Sequence, residues 1–289
     1  MLRLAVTTRA ETYERMAEGL AERSITVEHV PTAERTLTPV TDLGAFDVGF
    51  VFPPRLAEGG VADALLGVPW VNGREEVLRS RHKGETLARL SQAGVPTPET
   101  VIVSNPVEEA TLRETFRQFD PPVVVKPNAT TRGVGVAKAR DLDSFLGVCD
   151  YLDLVHDYRA TGDRSFLVQE YIEGARDYRA MVVDGACVGA VERRLPDRES
   201  EPAVDGPERW KHNVHRGATA SAVELPADLR ELAEAAATAL DIPWLGVDLL
   251  VTDDRAVVNE TNARPTIDVA EKYETGFWDD LASLVRNQV

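Results

Sequence analysis

The chain has 289 residues, 43% of them hydrophobic and 28% charged, enough for two or three packed units and ordinary for a globular protein. Asp and Glu outnumber Lys and Arg by 48 to 32, and a net charge of −16 argues against general nucleic-acid binding. No apolar run approaches the roughly 20 residues of a membrane helix, and the N-terminal apolar run is too short for a secretory signal, so a cytoplasmic protein is expected.

Lysine is scarce: only Lys83, Lys126, Lys138, Lys211 and Lys272 occur, and the other basic side chains are arginines. An acidic, hydrated surface of this kind suits high salt, and a GC-rich genome would produce much of the same arginine bias. Cys149 and Cys187 lack metal-site spacing and neighbouring histidines, so both are expected as buried free thiols.

In chain order, residues 2–7 read as a strand and 11–23 as a helix with Tyr13, Met16, Ala17 and Leu20 at helical spacing. Strands at 26–30, 48–52 and 68–71 alternate with a helix at 61–66, which predicts a small parallel α/β unit over residues 1–80. It has no Gly-x-Gly-x-x-Gly after its first strand, so a dinucleotide fold lacks support. Residues 74–92 read as one helix carrying Lys83 and ending at Gly94 and Pro96.

After a strand at 101–104 and a helix at 107–119, the apolar run 123–125 delivers Lys126. The polar stretch 128–135, with Gly133 and Gly135, is either a hairpin tip or a loop whose backbone N–H groups cradle an anion. It is not a Walker loop, because no Gly-Lys-Ser/Thr follows. A helix at 141–151, a strand at 166–168 leading into Glu170, Tyr171 and Ile172, and a hairpin of 177–183 with 187–194 come next. That hairpin gathers Asp177, Arg179, Glu192, Arg193 and Arg194 near one edge; Arg193 and Arg194 face opposite ways. Residues 195–210, rich in Pro and acids, read as a surface loop, followed by a basic cluster, Lys211, His212, Asn213 and Arg216. A helix at 226–240 and a terminal helix at 279–285 flank a final hairpin. Lys138 and Lys272 read as surface residues, and Trp210 as packing rather than a base-stacking platform.

The final hairpin, 244–262, carries Asp248, Glu260 and Asn262 in otherwise apolar strands. A three-residue loop at 253–255 pairs Thr252 with Ala256 and sets Asp248 opposite Glu260, whereas a two-residue loop would put the two carboxylates on opposite faces. Converging carboxylates on a dry sheet require a positive partner, and hard oxygens suit Mg²⁺ completed by phosphates and water. The alternative is a solvated hairpin face.

These parts in this order are similar to the ATP-grasp superfamily and most resemble the RimK-like α-L-glutamate ligases. The resemblance rests on VVVKPN, TRGVGV, FLVQEYIEGARDYRAMVV, VGAVERR, NVHRG, LGVDLL, NETNA and EKYETG, across about two thirds of the chain. It implies an α/β (α+β) fold, an N-terminal pre-ATP-grasp domain (1–80) and an ATP-grasp domain (81–289) with subdomains 81–165 and 166–289.

It further implies ATP as substrate and two Mg²⁺ (or Mn²⁺) ions on Asp248, Glu260 and Asn262, with Glu260 bridging. Lys83, Lys126, Gly133, Gly135, the backbone of Glu170, Tyr171 and Ile172, Asp177, Lys211, His212 and Asn213 would bind the nucleotide. Arg216, with Arg193 or Arg194, would steady the transferred phosphoryl group. The implied reaction joins a carboxylate to an amine through an acyl phosphate, adding glutamate or another amino acid to a peptide, protein tail or coenzyme. Related outcomes are a carrier-protein or glutathione-like ligase, or a non-catalytic ATP-binding module. A homo-oligomer is compatible with the sequence. Where the family has Ser-Pro-Gly after Asn-Ala, this chain has Arg264-Pro265-Thr266, and Ala218 replaces a second glycine after Arg216, which bears on the acceptor substrate.

Overall fold

The computed structural model describes residues 1–8, 11–130, 133–156, 163–195, 210 and 217–289. Four strands, β1 (Leu2–Val6), β2 (Ile25–His29), β3 (Val48–Phe50) and β4 (Trp70–Val71), form a parallel sheet in the order β2-β1-β3-β4. Helices α1 (Glu11–Ala21) and α2 (Leu56–Leu66) provide its crossovers. The buried run in β1 and all of β3 match burial on both faces, whereas the edge strand β2 alternates, with Ile25 and Val27 buried.

Residues 74–92 form two helices, not one: α3 (Arg74–Arg81) and α4 (Lys83–Gln92). The break is at His82, which is extended (φ −82°, ψ 91°). No Gly or Pro marks it. Its cause is tertiary: Asn128 accepts from the backbone N–H of Lys83 at 3.2 Å and, through Oδ1, from that of Gly84 at 2.8 Å. A distant residue therefore satisfies the N-terminal donors of α4, which His82 does not cap.

The second sheet is antiparallel, ordered β5-β8-β6-β7, from β5 (Thr100–Ser104), β6 (Val123–Pro127), β7 (Ala137–Ala139) and β8 (Ser165–Glu170). It packs on α5 (Glu109–Phe116) and α6 (Leu142–His156) around Phe116, Phe145 and Phe166. The third sheet is antiparallel, ordered β11-β10-β9-β12-β13: β9 (Arg176–Val183), β10 (Ala186–Arg194), β11 (Thr219–Ala222), β12 (Trp244–Val251) and β13 (Ala256–Asn262). Its other face carries α7 (Ala227–Leu240) and α8 (Phe277–Arg286). Cys149 and Cys187 are buried free thiols, and burial pushes the Cys149 thiol up to about 12. Among the described residues no helix is long and apolar enough to cross a membrane.

One apolar core runs from the parallel sheet into the third sheet, through Phe50, Trp244 and Phe277. Asn72 fastens this junction. It adopts the left-handed conformation (φ 54°), which Asn tolerates better than most residues. Its amide donates to the carbonyls of Trp244 and Ala263 (2.7 Å to Ala263), and its Oδ1 accepts from Trp244 N at 3.2 Å. Asn72→Ala is expected to cost about 3 kcal/mol by leaving buried backbone groups unpaired, measurable as a lower midpoint in urea unfolding.

Candidate active site

Between the second and third sheets lies a cavity of about 500 Å³, within the range of small-molecule and cofactor pockets. Lys126, Gly133, Lys138, Glu170, Tyr171, Ile172, Asp177, Arg193, Asp248 and Glu260 all line it.

The β12–β13 hairpin brings its carboxylates together by a route different from the one expected. Val251, not Thr252, pairs with Ala256, leaving a four-residue turn over 252–255. That register alone would set Asp248 against Asn259 and turn Glu260 to the other face. A β-bulge at Asn259 corrects it: Leu249 pairs with Val258, and Asp248 with Glu260. Bulges re-aim side chains in this way beside functional sites. Asn259 and Glu260 consequently both line the cavity.

The charge balance is built around these acids. Arg179 lies directly across from Asp248 on β9 and grips it bidentately, Nε to Oδ1 at 2.6 Å and Nη2 to Oδ2 at 2.8 Å. Arg193 donates from Nη2 to the same Oδ2 at 3.0 Å and from Nε to Asp177 Oδ1 at 2.8 Å. Burial alone would raise Asp248, yet the two guanidinium groups hold it down at about 2. Burial pushes Asp177 the other way, to about 7, against the pull of Arg193 and with the charge of Asp248 adding to the rise.

Glu260 receives Lys83 Nζ at 3.2 Å, and Lys83 also donates to the carbonyl of Thr130. Because α4 begins at Lys83, the break at His82 places this ammonium at the cavity's edge. Lys126 is buried, with Nζ 3.5 Å from Asn259 Oδ1; desolvation lowers it to about 8, Glu260 opposing the shift.

Gly133 and Gly135 both have left-handed φ (65° and 74°), and a Cβ on Gly135 would come within 2.8 Å of Pro127. Glu170 has its carboxylate committed to Glu99 N at 2.8 Å and to Arg255, and its backbone N–H donates to Glu99 O at 3.0 Å. Asn262 does not line the cavity; it sits opposite Gly246 with Oδ1 accepting from Arg264 N at 2.9 Å. Arg194 is exposed and bonded to Glu192, on the strand face away from Arg193. Of the two arginines it is therefore Arg193 that reaches the cavity. Lys211, His212, Asn213 and Arg216 lie outside the described residues.

Lys138 was expected at the surface, but it lines the cavity. Its Nζ stands 4.1 Å from the Tyr171 ring centre and 5.3 Å from that of Trp210, which meets Tyr171 edge-on at 5.9 Å. Trp210 likewise belongs to the cavity wall. Arg179, Asn259 and Lys138 are thus site residues that sequence reasoning passed over. The usable signal for Arg179 was its position two residues after Asp177 on one strand face.

Among the described residues, no three of His, Cys, Asp and Glu are gathered closely enough to hold a metal unaided. The donor chemistry nevertheless fits a hard divalent cation: two carboxylates and nearby amide oxygens face a space large enough for phosphates to complete a shell. Three sheets in this arrangement, with lysines and paired carboxylates at one cleft, suit a phosphate-bearing ligand, and the comparisons with known proteins place the chain in the ATP-grasp class of ligases.

The chain belongs to the RimK-like ATP-grasp family, whose domain model matches residues 80–279. It is 32% identical over 223 residues to a probable alpha-L-glutamate ligase of Hydrogenovibrio crunogenus, spanning 76% of this chain and 67% of that one. The fold matches a RimK-domain ATP-grasp protein of Sphaerobacter thermophilus (TM-score 0.66, 24% identity, 99% of both chains). It also matches a D-cycloserine synthetase (TM-score 0.72, 20% identity, 98% of this chain and 99% of that one). The protein is an ATP-dependent ligase that forms an amide bond, in a class that uses ATP and divalent metal ions generally.

Proposed function

We propose that the protein adds glutamate or a related amino acid to a carboxylate carried on a peptide, protein tail or coenzyme, through an acyl phosphate, in the cytoplasm. The observation that carries this reading is the pairing of Asp248 with Glu260 on the wall of a cavity that also holds Lys126 and Arg193, with Lys83 bonded to Glu260 from outside it. The name of the Hydrogenovibrio relative supports glutamate as the added group.

In this reading Lys83 and Lys126 bind the phosphates, and the loop at Gly133 and Gly135 covers them. The backbone of Glu170, Tyr171 and Ile172 receives the base, with Lys211, His212 and Asn213 along the nucleotide. Asp177, bonded to Arg193, orients that guanidinium as well as lying along the nucleotide. Asp248, Glu260 and Asn262 would hold two magnesium or manganese ions, which when bound neutralise the triphosphate's charge. Phosphoryl transfer needs positioning and charge compensation more than covalent help, and Arg193 and Arg216 supply cationic donors for the charge that develops. Residues 1–80 would present the acceptor to the cleft formed by 81–165 and 166–289.

The test is ADP release from ATP across pools of acids and amines, with mass detection of the product. Turnover that requires both an acid and an amine supports the reading; ATP hydrolysis indifferent to both would refute it. Arg216→Ala is expected to lower kcat by 10²-fold or more, on the order of one lost oxyanion donor, with ATP KM little changed. Equal losses in both would contradict its role.

A further inference from the structure

In this acid-rich chain Arg81, at the end of α3, and Arg264, just past β13, are neighbouring arginines. Arg81 donates to the carbonyl of Pro54 at 3.0 Å, and Arg264 to that of Phe52. Two guanidinium groups thus converge on one short turn of the N-terminal sheet. Among the described residues neither has a salt-bridge partner, and both are partly buried. Holding two backbone carbonyls does not require charge. Keeping two cations side by side, partly desolvated and uncompensated, is unfavourable unless an anion joins them.

The position of the pair is anchored to the reaction centre. Ser80, next to Arg81, bonds Thr261 Oγ1 at 3.1 Å and accepts from Ala263 N at 3.0 Å. Arg264 N bonds Asn262, and Lys83, two residues beyond Arg81, bonds Glu260. The end of α3 and the end of β13 are therefore bolted together, with the phosphate-side acids on one side and the two arginines on the other. Arginine's planar fork suits a carboxylate.

Building on the ligase reading above, we infer that Arg81 and Arg264 form a subsite for a second, non-reacting carboxylate, so that the enzyme takes a dicarboxylic substrate. That carboxylate belongs either to the acid that is phosphorylated or to the incoming amino acid.

Isothermal titration of the full chain with ADP and magnesium, using glutarate and L-glutamate as probes, tests the inference. The wild-type protein is expected to bind at least one. Arg264→Gln and Arg81→Gln are each expected to weaken that binding tenfold or more, and Arg264→Lys less, with ADP affinity unchanged within twofold. Binding of glutarate assigns the subsite to the phosphorylated acid, since glutarate has no amine; binding of L-glutamate alone assigns it to the amino acid. Wild-type protein that binds neither probe, or Gln variants that bind as well as wild type, would overturn the subsite. A purely structural pair would lower the melting temperature without changing probe affinity. If one Gln variant does not fold, the other and Arg264→Lys decide. Loss of ADP binding by wild-type protein would instead count against the ligase reading itself.

Discussion

Replacing Glu260 with glutamine is expected to abolish acid- and amine-dependent ADP formation, with kcat lower by about 10³-fold or more, the scale of a lost pre-organised electrostatic group. The substitution keeps the shape and one carbonyl oxygen but removes the charge opposite Asp248 and the partner of Lys83. Asp248 already accepts from Arg179 and Arg193, so Glu260 is the carboxylate of the pair with more acceptor capacity left for a cation. Stability should fall by about 1–3 kcal/mol, because the Glu260 side chain is 36% exposed but Lys83, only 6% exposed, loses its counter-charge. Melting temperature and ADP release, measured on the same preparation, separate the two effects. An active variant would end the assignment of Glu260 to the metal and phosphate chemistry.

The fold was legible in the sequence because its strands are short apolar runs punctuated by Gly, Pro and Asp, and because alternation with helices marks the parallel sheet. The pairing of Asp248 with Glu260 was also legible, but for an incomplete reason. Loop length alone leads to the right partner only if the turn has three residues; the chain uses four and inserts Asn259 as a bulge. A bulge is decided by what the neighbouring elements require of the side chains, which no local pattern records. The same holds at His82. Helical periodicity continues through it, and only the meeting with Asn128, 46 positions away, makes the break favourable.

Charged residues were the least legible. Lys138 and Trp210 look like surface and packing residues one at a time, and become a site only when β7 lies beside Tyr171. Arg179 is unremarkable until β9 is set between β10 and β12, which places its guanidinium over Asp248. Motifs identify residues that touch ligands; the counter-charges that hold those residues come from strand order.

Arg193→Met is the substitution with the largest expected effect on stability, and it is expected to lower turnover as well. Arg193 is 9% exposed in its side chain and shared between two buried acids, Asp177 and Asp248. Removing it leaves Asp177 facing the charge of Asp248 with only Arg179 nearby, and breaking a buried ion pair from one side costs about 3–5 kcal/mol. Part of that cost should be avoided by protonation of Asp177, so the variant should be relatively more stable at pH 5 than at pH 8. The sign follows from the direction of the shift: an acid raised above its ordinary value binds a proton more readily folded than unfolded, so the folded state gains as pH falls through that range. Adding Asp177→Asn should recover most of the stability in urea unfolding while leaving kcat at least 10²-fold down, because a neutral pair packs but cannot meet the charge developing on a transferred phosphoryl group. If the double variant regains turnover together with stability, Arg193 acts only as a structural counter-ion, and the catalytic cation must be sought elsewhere on the cavity wall.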